Sequence, residues 1–203
     1  MDYQKLKKAR ELKRDMEKIL LQNNAKVAGT DTVARELAGL PAWLITNVSK
    51  NGSTDPTGDG TDARSGGTPR AFTEDQLKTV AGECYDEGGN PGILLVGRYN
   101  RQIASSFGAG TKMQKVEDKT LHTSFDVYES DFSNLKIVPD RFTSVDNAFL
   151  LDMEYWKIPF IDNMLSTPMA KTGDSDQHQI LSEFTLEACN EKASGIVADL
   201  TSS

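Results

Sequence analysis

Residues 70–97 read RAFTEDQLKTVAGECYDEGGNPGILLVG, and two elements are written into them. Thr73 follows Phe72 and stands three residues before Gln76, with Leu77 next. That is the pattern of a capping box with a hydrophobic staple from Phe72 to Leu77. Leu77, Val80, Ala81, Cys84 and Tyr85 then share one apolar face, so a helix is predicted over 74–87. Gly88 and Gly89 stop it, since glycine enters the left-handed conformation that closes a helix. Residues 93–96, ILLV, form an unbroken apolar run between Pro91 and Gly97, which predicts a short strand covered on both faces.

On the C-terminal side, residues 99–107 predict a short helix with Asn100 as its cap and Ile103 and Phe107 turned inward. From residue 124 the period changes to two. TSFDVYES (123–130) and LKIVP (135–139) flank DFSN as a hairpin, and NAFLL (147–151) and WKIPFI (156–161) flank DMEY in the same way. Ile180, Ser182, Phe184, Leu186 and Ala188 alternate with Leu181, Glu183, Thr185 and Glu187, which predicts a long strand with one mainly apolar face. GIVADL (195–200) closes the pattern as a short apolar segment.

On the N-terminal side, residues 2–23 predict one long helix. Tyr3, Leu6, Ala9, Leu12, Met16, Ile19 and Leu20 recur every three to four positions, and Lys5, Lys7, Lys8, Arg10, Lys13, Arg14 and Lys18 crowd the rest. Lys7 with Glu11, Arg14 with Glu17, and Lys18 with Asp15 are spaced to pair along it. Asn23 and Asn24 suit its end. Such a basic face is either solvated, set against an acidic partner, or a phosphate binder. Leu37, Leu40, Pro41, Trp43, Leu44 and Ile45 supply core material before the glycine- and aspartate-rich stretch DPTGDGTDARSGGTPR (55–70). The class is α+β.

Composition narrows the function. The 203 residues carry a net charge of −7, a poor balance for non-specific nucleic-acid binding. There is no apolar run long enough for a membrane span and no apolar region after the basic N-terminus of the kind a secretory signal needs. Cys84 and Cys189 lack metal or redox spacing, and each is expected to be a single buried thiol. The 55–70 stretch has no lysine after its glycines, as a phosphate loop requires, and GAGTK (108–112) also misses that spacing. Gly58 and Gly60 lead to Ala63 where a dinucleotide fingerprint needs glycine. Asp55, Asp59 and Asp62 are not at calcium-loop positions. The stretch therefore reads as a mobile surface hairpin or linker, without a packed apolar anchor. His178 lies near Asp174 and Asp176 but lacks a third ligand, and His122 has no local partner. Tyr155, Trp156 and Phe160 could stack bases, but such residues more often pack a core or subunit interface. No catalytic, cofactor-binding or metal residue is assigned.

FDVYESDFSNLKIVPDRF (125–142), AFLLDMEYWKIPFI (148–161) and AKTGDSDQHQILSEFTLEACNEKASGIVADL (170–200), together with the opening stretch, resemble the major capsid (head) proteins of tailed phages and prophages with the Hong Kong 97-type fold. The resemblance spans nearly all of residues 4–201. It implies a spine helix of a peripheral domain at 1–26, an axial domain at 27–147, antiparallel peripheral-domain strands at 148–190, and a return to a mixed α/β axial domain at 191–203. It implies no enzyme and no cofactor. The implied role is a self-assembling structural subunit of an icosahedral head shell enclosing DNA, in the virion capsid and, before assembly, in the bacterial host cytoplasm. Its partners would be copies of itself, with portal and scaffold proteins as further candidates, no membrane, and nucleic acid only as enclosed, non-specific cargo. The alternative is a nucleotide- or nucleic-acid-binding domain using the 55–70 loop and the basic helix. Family members carry an N-terminal arm and extended hairpin before the spine helix. The residues in hand correspond to the part after them, so the chain is expected to fold but not to close into shells alone.

Overall fold

A computed structural model describes residues 2–107, 127–171, 173–174 and 177–202. GAGTK, His122, the first half of the predicted 123–130 strand and Asp176 lie outside the described residues. The order is α1 (Asp2–Leu21), a 3-10 turn (Leu40–Ala42), β1 (Asn47–Ser49), α2 (Glu74–Asp86), β2 (Ile93–Val96), α3 (Arg98–Ala104), β3 (Val127–Glu129) and β4 (Asn134–Pro139). There follow β5 (Ala148–Leu151), β6 (Trp156–Lys157), β7 (Phe160–Pro168), β8 (His178–Phe184), β9 (Glu187–Ala188), a second 3-10 turn (Glu191–Ala193) and β10 (Gly195–Val197). The fold is mixed α+β.

A six-stranded sheet, ordered β1-β10-β5-β2-β4-β3, organises the body. β10 runs parallel to β1 and antiparallel to β5; β2 is antiparallel to β5 and parallel to β4; β3 returns antiparallel along β4. Side chains alternate across a strand, so each central strand feeds two cores. Leu94, Val96, Ala148, Leu150 and Val197 point to one core with Phe72, Leu77, Val80 and Cys84. Ile93, Leu95, Phe149, Leu151 and Ile196 point to the other with Leu21, Leu40, Leu44, Trp156 and Leu186. Apolar cover on both faces is why β2 and β5 read as unbroken hydrophobic runs.

α2 forms as its sequence predicts. Gln76 N donates to Thr73 Oγ1 and Thr73 N donates to Gln76 Oε1, while Phe72 and Leu77 are both buried in the first core. Gly88, at φ +83°, ends the helix, with its N–H on Tyr85 O. The β3–β4 hairpin is also as predicted over its described part, closed by Ser130 N donating to Ser133 O.

Five local expectations are corrected. Asn100 is not a cap: α3 begins after Gly97, and Asn100 is buried inside it with Nδ2 donating to Val145 O at 2.8 Å. Ile103 and Phe107 do pack on the first core. The predicted hairpin of 147–151 with 156–161 does not form. Asp152–Tyr155 makes a turn, but β5 lies between β10 and β2, and β6 pairs with β9. All four β5 residues are buried, and such a strand gains more from two neighbours in the sheet centre than from one hairpin partner. The predicted 180–188 strand breaks after Phe184, where Thr185 N turns to Pro159 O and Leu186 drops into the second core. On α1, Glu11 pairs with Lys8 rather than Lys7. Cys84 is buried as expected, but Cys189 is exposed.

Candidate assembly surfaces

The 55–70 stretch is not the free connection its composition predicts. Ser53, Pro56, Gly60 and Arg64 are buried. Arg64 donates from Nη2 to Leu44 O at 2.5 Å and from Nη1 to Asp55, which also receives Lys50. Asn23, just past α1, exchanges two hydrogen bonds with the Arg64 backbone, at 2.6 and 3.0 Å. Each aspartate serves the loop itself. Asp59 accepts from the hydroxyl and amide of Thr61 and from the Thr57 hydroxyl, which together hold its carboxyl down at about 2. Asp62 accepts from the Thr57 hydroxyl and amide and is likewise lowered. The Asp59 and Asp62 Oδ1 atoms both meet the Thr57 hydroxyl, which ties the two carboxylates into the loop's own turn. Among the described residues there is no group of three His, Cys, Asp or Glu side chains placed to hold a metal ion.

Three backbone amides do converge there, as in a phosphate cradle, but the anion is the protein's own. Asn51 N, Ser53 N and Gly67 N donate to the Asp199 carboxylate at 2.6, 3.3 and 3.0 Å. Burial alone would raise the Asp199 pKa; the donors at Asn51, Ser53 and Gly67 outweigh burial and hold it below the usual range. Arg70 N donates to Asp199 O and Thr201 N to Arg70 O, so the loop is buckled to the end of β10. A lone acidic residue inside the apolar run GIVADL was the sequence signal for this, because a buried carboxylate must find donors.

Among the described residues, the surfaces without an intramolecular partner lie elsewhere. In the first four turns of α1 no described side chain is buried; Met16 and Leu21 alone are. Tyr3 is 78% exposed and Leu6 61%, so the apolar stripe seen in the sequence is largely uncovered. The same helix carries seven basic and four acidic residues on a chain of net charge −7. β7 and β8 form a separate two-stranded ribbon, which exposes Ile161 at 76%, Leu165 at 67% and Leu181 at 51%. Leu165 faces Leu181 across it. Asp162 faces Glu183, a like-charge pair that Arg35 offsets with a contact of 3.5 Å to Glu183. An isolated two-stranded ribbon is only marginally stable in water. The run KIPFIDNMLSTPM (157–169) held the signal that sequence reading missed: its apolar residues follow no single-face period, as in a strand covered from outside.

Between α1 and the ribbon runs an apolar groove of about 640 Å³, walled by Met16, Leu20, Leu95, Leu151, Trp156 and Met164. Its charged wall residues are Lys13, Glu17 and Asp140. Of the aromatics singled out in the sequence, Trp156 is buried, with Nε1 donating to Ser194 Oγ at 2.9 Å, and Phe160, exposed on the ribbon, meets Phe184 in a tilted ring contact at 6.1 Å. His178 Nδ1 lies 3.5 Å from Ser166 Oγ at an exposed position on the ribbon. No helix among the described residues is long and apolar enough to cross a membrane.

Residues 1–201 match the family described as SU10 major capsid protein. No curated protein matches the sequence. Among solved structures, a chain of the satellite phage P4 procapsid including the size determination (Sid) protein is similar, with a TM-score of 0.50 and 12% identity. The match covers 98% of this chain and 64% of that one. At this identity the likeness concerns the fold alone.

Proposed function

This chain belongs to the SU10 major capsid protein family, and from that premise we propose that it works as a structural shell subunit whose partners are copies of itself. The observation that carries the reading is the apolar surface one subunit leaves uncovered: the α1 stripe and the β7–β8 ribbon. Contiguous exposed apolar surface marks sites of protein association. A shell supplies the cover through head-to-tail contacts repeated around closed axes. The basic α1 on an otherwise acidic chain adds charge complementarity between copies.

On this reading the fold is of the Hong Kong 97 type, with α1 as the spine of a peripheral domain shared with the β7–β8 ribbon. The six-stranded sheet with α2 and α3 is the axial domain. We place the crossing to the peripheral domain after Leu151 rather than at 148, a reading supported by the position of β5 inside that sheet. The protein resides in the virion capsid and encloses DNA without reading it; portal and scaffold proteins would meet the same surfaces. The role is structural rather than catalytic. The nucleotide-binding reading is disfavoured, since the amides of Asn51, Ser53 and Gly67, which converge as in an anion cradle, are taken by Asp199. Multi-angle light scattering and negative-stain microscopy across a concentration series test the proposal. Concentration-dependent oligomers of regular curvature are expected, and a strict monomer at millimolar concentration would refute self-association.

A further inference from the structure

Tyr3, Leu6, Lys7, Arg10 and Arg14 recur at helical spacing on α1 and are all exposed, so they share one outward face. Ala9, Leu12 and Met16 turn the other way and are partly or fully covered. The outward face thus has two apolar side chains at its N-terminal end and cations after them. The opposite combination stands on α2. Tyr85 and Phe132 are 58% and 44% exposed, and their rings meet at 5.5 Å. Phe132, from the β3–β4 turn, lies over α2 at Gly82, where an added Cβ would stand 3.5 Å from its ring. Asp75 and Asp86 share the Gly82 face of the helix, and Asp131 stands beside Phe132; all three aspartates are exposed. Lys78 on the same helix is drawn to Glu74 at 3.0 Å.

The two faces do not meet within one chain. α2 covers the first core, whereas α1 joins the second core through Leu20 and Leu21, on the other side of the sheet. We infer that the outward face of α1 docks on the α2–Phe132 face of a second copy, head to tail, an inference that rests on the shell-subunit reading and names which surfaces meet. Charge selects the pairing. α1 against α1 sets cations on cations, and α2 against α2 sets aspartates on aspartates; only α1 against α2 joins opposite signs. The lengths match, since the uncovered turns of α1 and the whole of α2 each run about 20 Å. The order of groups matches in the antiparallel sense. Tyr3 and Leu6 then meet Tyr85 and Phe132, and Arg14 reaches Asp75, because Tyr3 to Arg14 and Tyr85 to Asp75 both span about 15 Å. An aromatic centre with a charged rim is the usual make-up of a specific protein contact. Because the two faces differ, each docked copy still offers one of them, and the contact propagates until a rotation closes it.

Two variants test the docking. Leu6→Ser/Arg10→Gln/Arg14→Gln spoils only the α1 face, and Asp75→Asn/Asp86→Asn/Phe132→Ser only the α2 face. All six residues are exposed, so circular dichroism should show both variants folded. If the Phe132 change perturbs the hairpin, Asp75→Asn/Asp86→Asn alone takes its place. In sedimentation velocity each variant should self-associate about tenfold more weakly than the parent, the scale of two rim ion pairs with one apolar anchor. Mixed one to one, the two should form a dimer, since each supplies the face the other lacks, and growth beyond it should stay as weak as in either alone. Added salt should weaken the parent more than the variants. Parental self-association in either variant, or a mixture no more associated than its components, would overturn the docking and leave the shell-subunit reading standing. A strictly monomeric parent would overturn both. A short labelled DNA duplex is the control for the basic face. If the α1 variant loses duplex binding but keeps parental self-association, the face serves DNA and the docking is wrong.

Discussion

The Gly67 amide donates to Asp199 Oδ1 at 3.0 Å, and a Cβ on Gly67 would stand 2.5 Å from Asp199 Oδ2. The same Cβ would meet Asn51 O and Ser53 N at 2.5 Å, so only glycine permits this approach. Asp199 itself takes φ +60°, a region that aspartate tolerates better than most residues. Gly67→Ala and Asp199→Ala should each cost about 2 kcal/mol, the first by displacing the buckle and the second by leaving amides without an acceptor. Urea denaturation measures this, and proteolysis should shift to 51–70 in both variants. The pH dependence follows from the lowered Asp199 pKa. Its stabilisation is complete above the unfolded value, about 3.9, and is lost as pH falls through the folded one. The gap between parent and Asp199→Ala should thus be constant from pH 7 to pH 5 and narrow in stronger acid. Equal midpoints at pH 7 would refute the buckle.

Thr73 accepts from Gln76 N in a closed capping box. Thr73→Ala should destabilise the chain by about 1 kcal/mol, while Thr73→Ser should cost much less, since serine keeps the acceptor. Thermal unfolding of the two variants is the check. A matching loss in both would assign the effect to the threonine methyl group and not to the cap.

Leu165 and Leu181 face each other on the exposed ribbon, whereas Phe149 is fully buried in the second core. Phe149→Ala should cost about 3–5 kcal/mol. Leu165→Asp should change monomer stability by no more than about 1 kcal/mol, the scale of one cross-strand pair. It should nevertheless weaken self-association, because it places a charge on the apolar surface. Denaturation and sedimentation equilibrium together separate the two effects. Unaltered association of Leu165→Asp would remove the ribbon from the list of contacts.

Cys84 and Cys189 should differ in reactivity. Burial is the main cause pushing the Cys84 thiol up to about 12, and Cys189 is exposed. A thiol reagent at pH 8 should therefore titrate one cysteine in the native protein and both after denaturation. Mass spectrometry of the labelled peptides identifies which. Rapid native labelling at Cys84 would mean that α2 opens readily from the sheet.

Where structure depends on neighbours a few residues apart, it was legible in the sequence. The capping box, staple and glycine stop of α2 act within single turns, and Thr73, Leu77 and Gly88 are found in those roles. The periodicity of α1, the β3–β4 hairpin and the two-faced burial of β2 are of the same kind. The phrases of 125–142, 148–161 and 170–200 also led to the capsid family that the whole-chain match supports. What depends on residues far apart was not legible. A turn after β5 looks the same whether the strand pairs with its successor or with β2 and β10, and only the sheet's two cores decide between them. The composition of 55–70 predicts freedom, because glycine raises the entropy of the unfolded chain. In the fold that cost is met by Asp199, more than 130 residues away, and by Arg64 buried against Leu44 O.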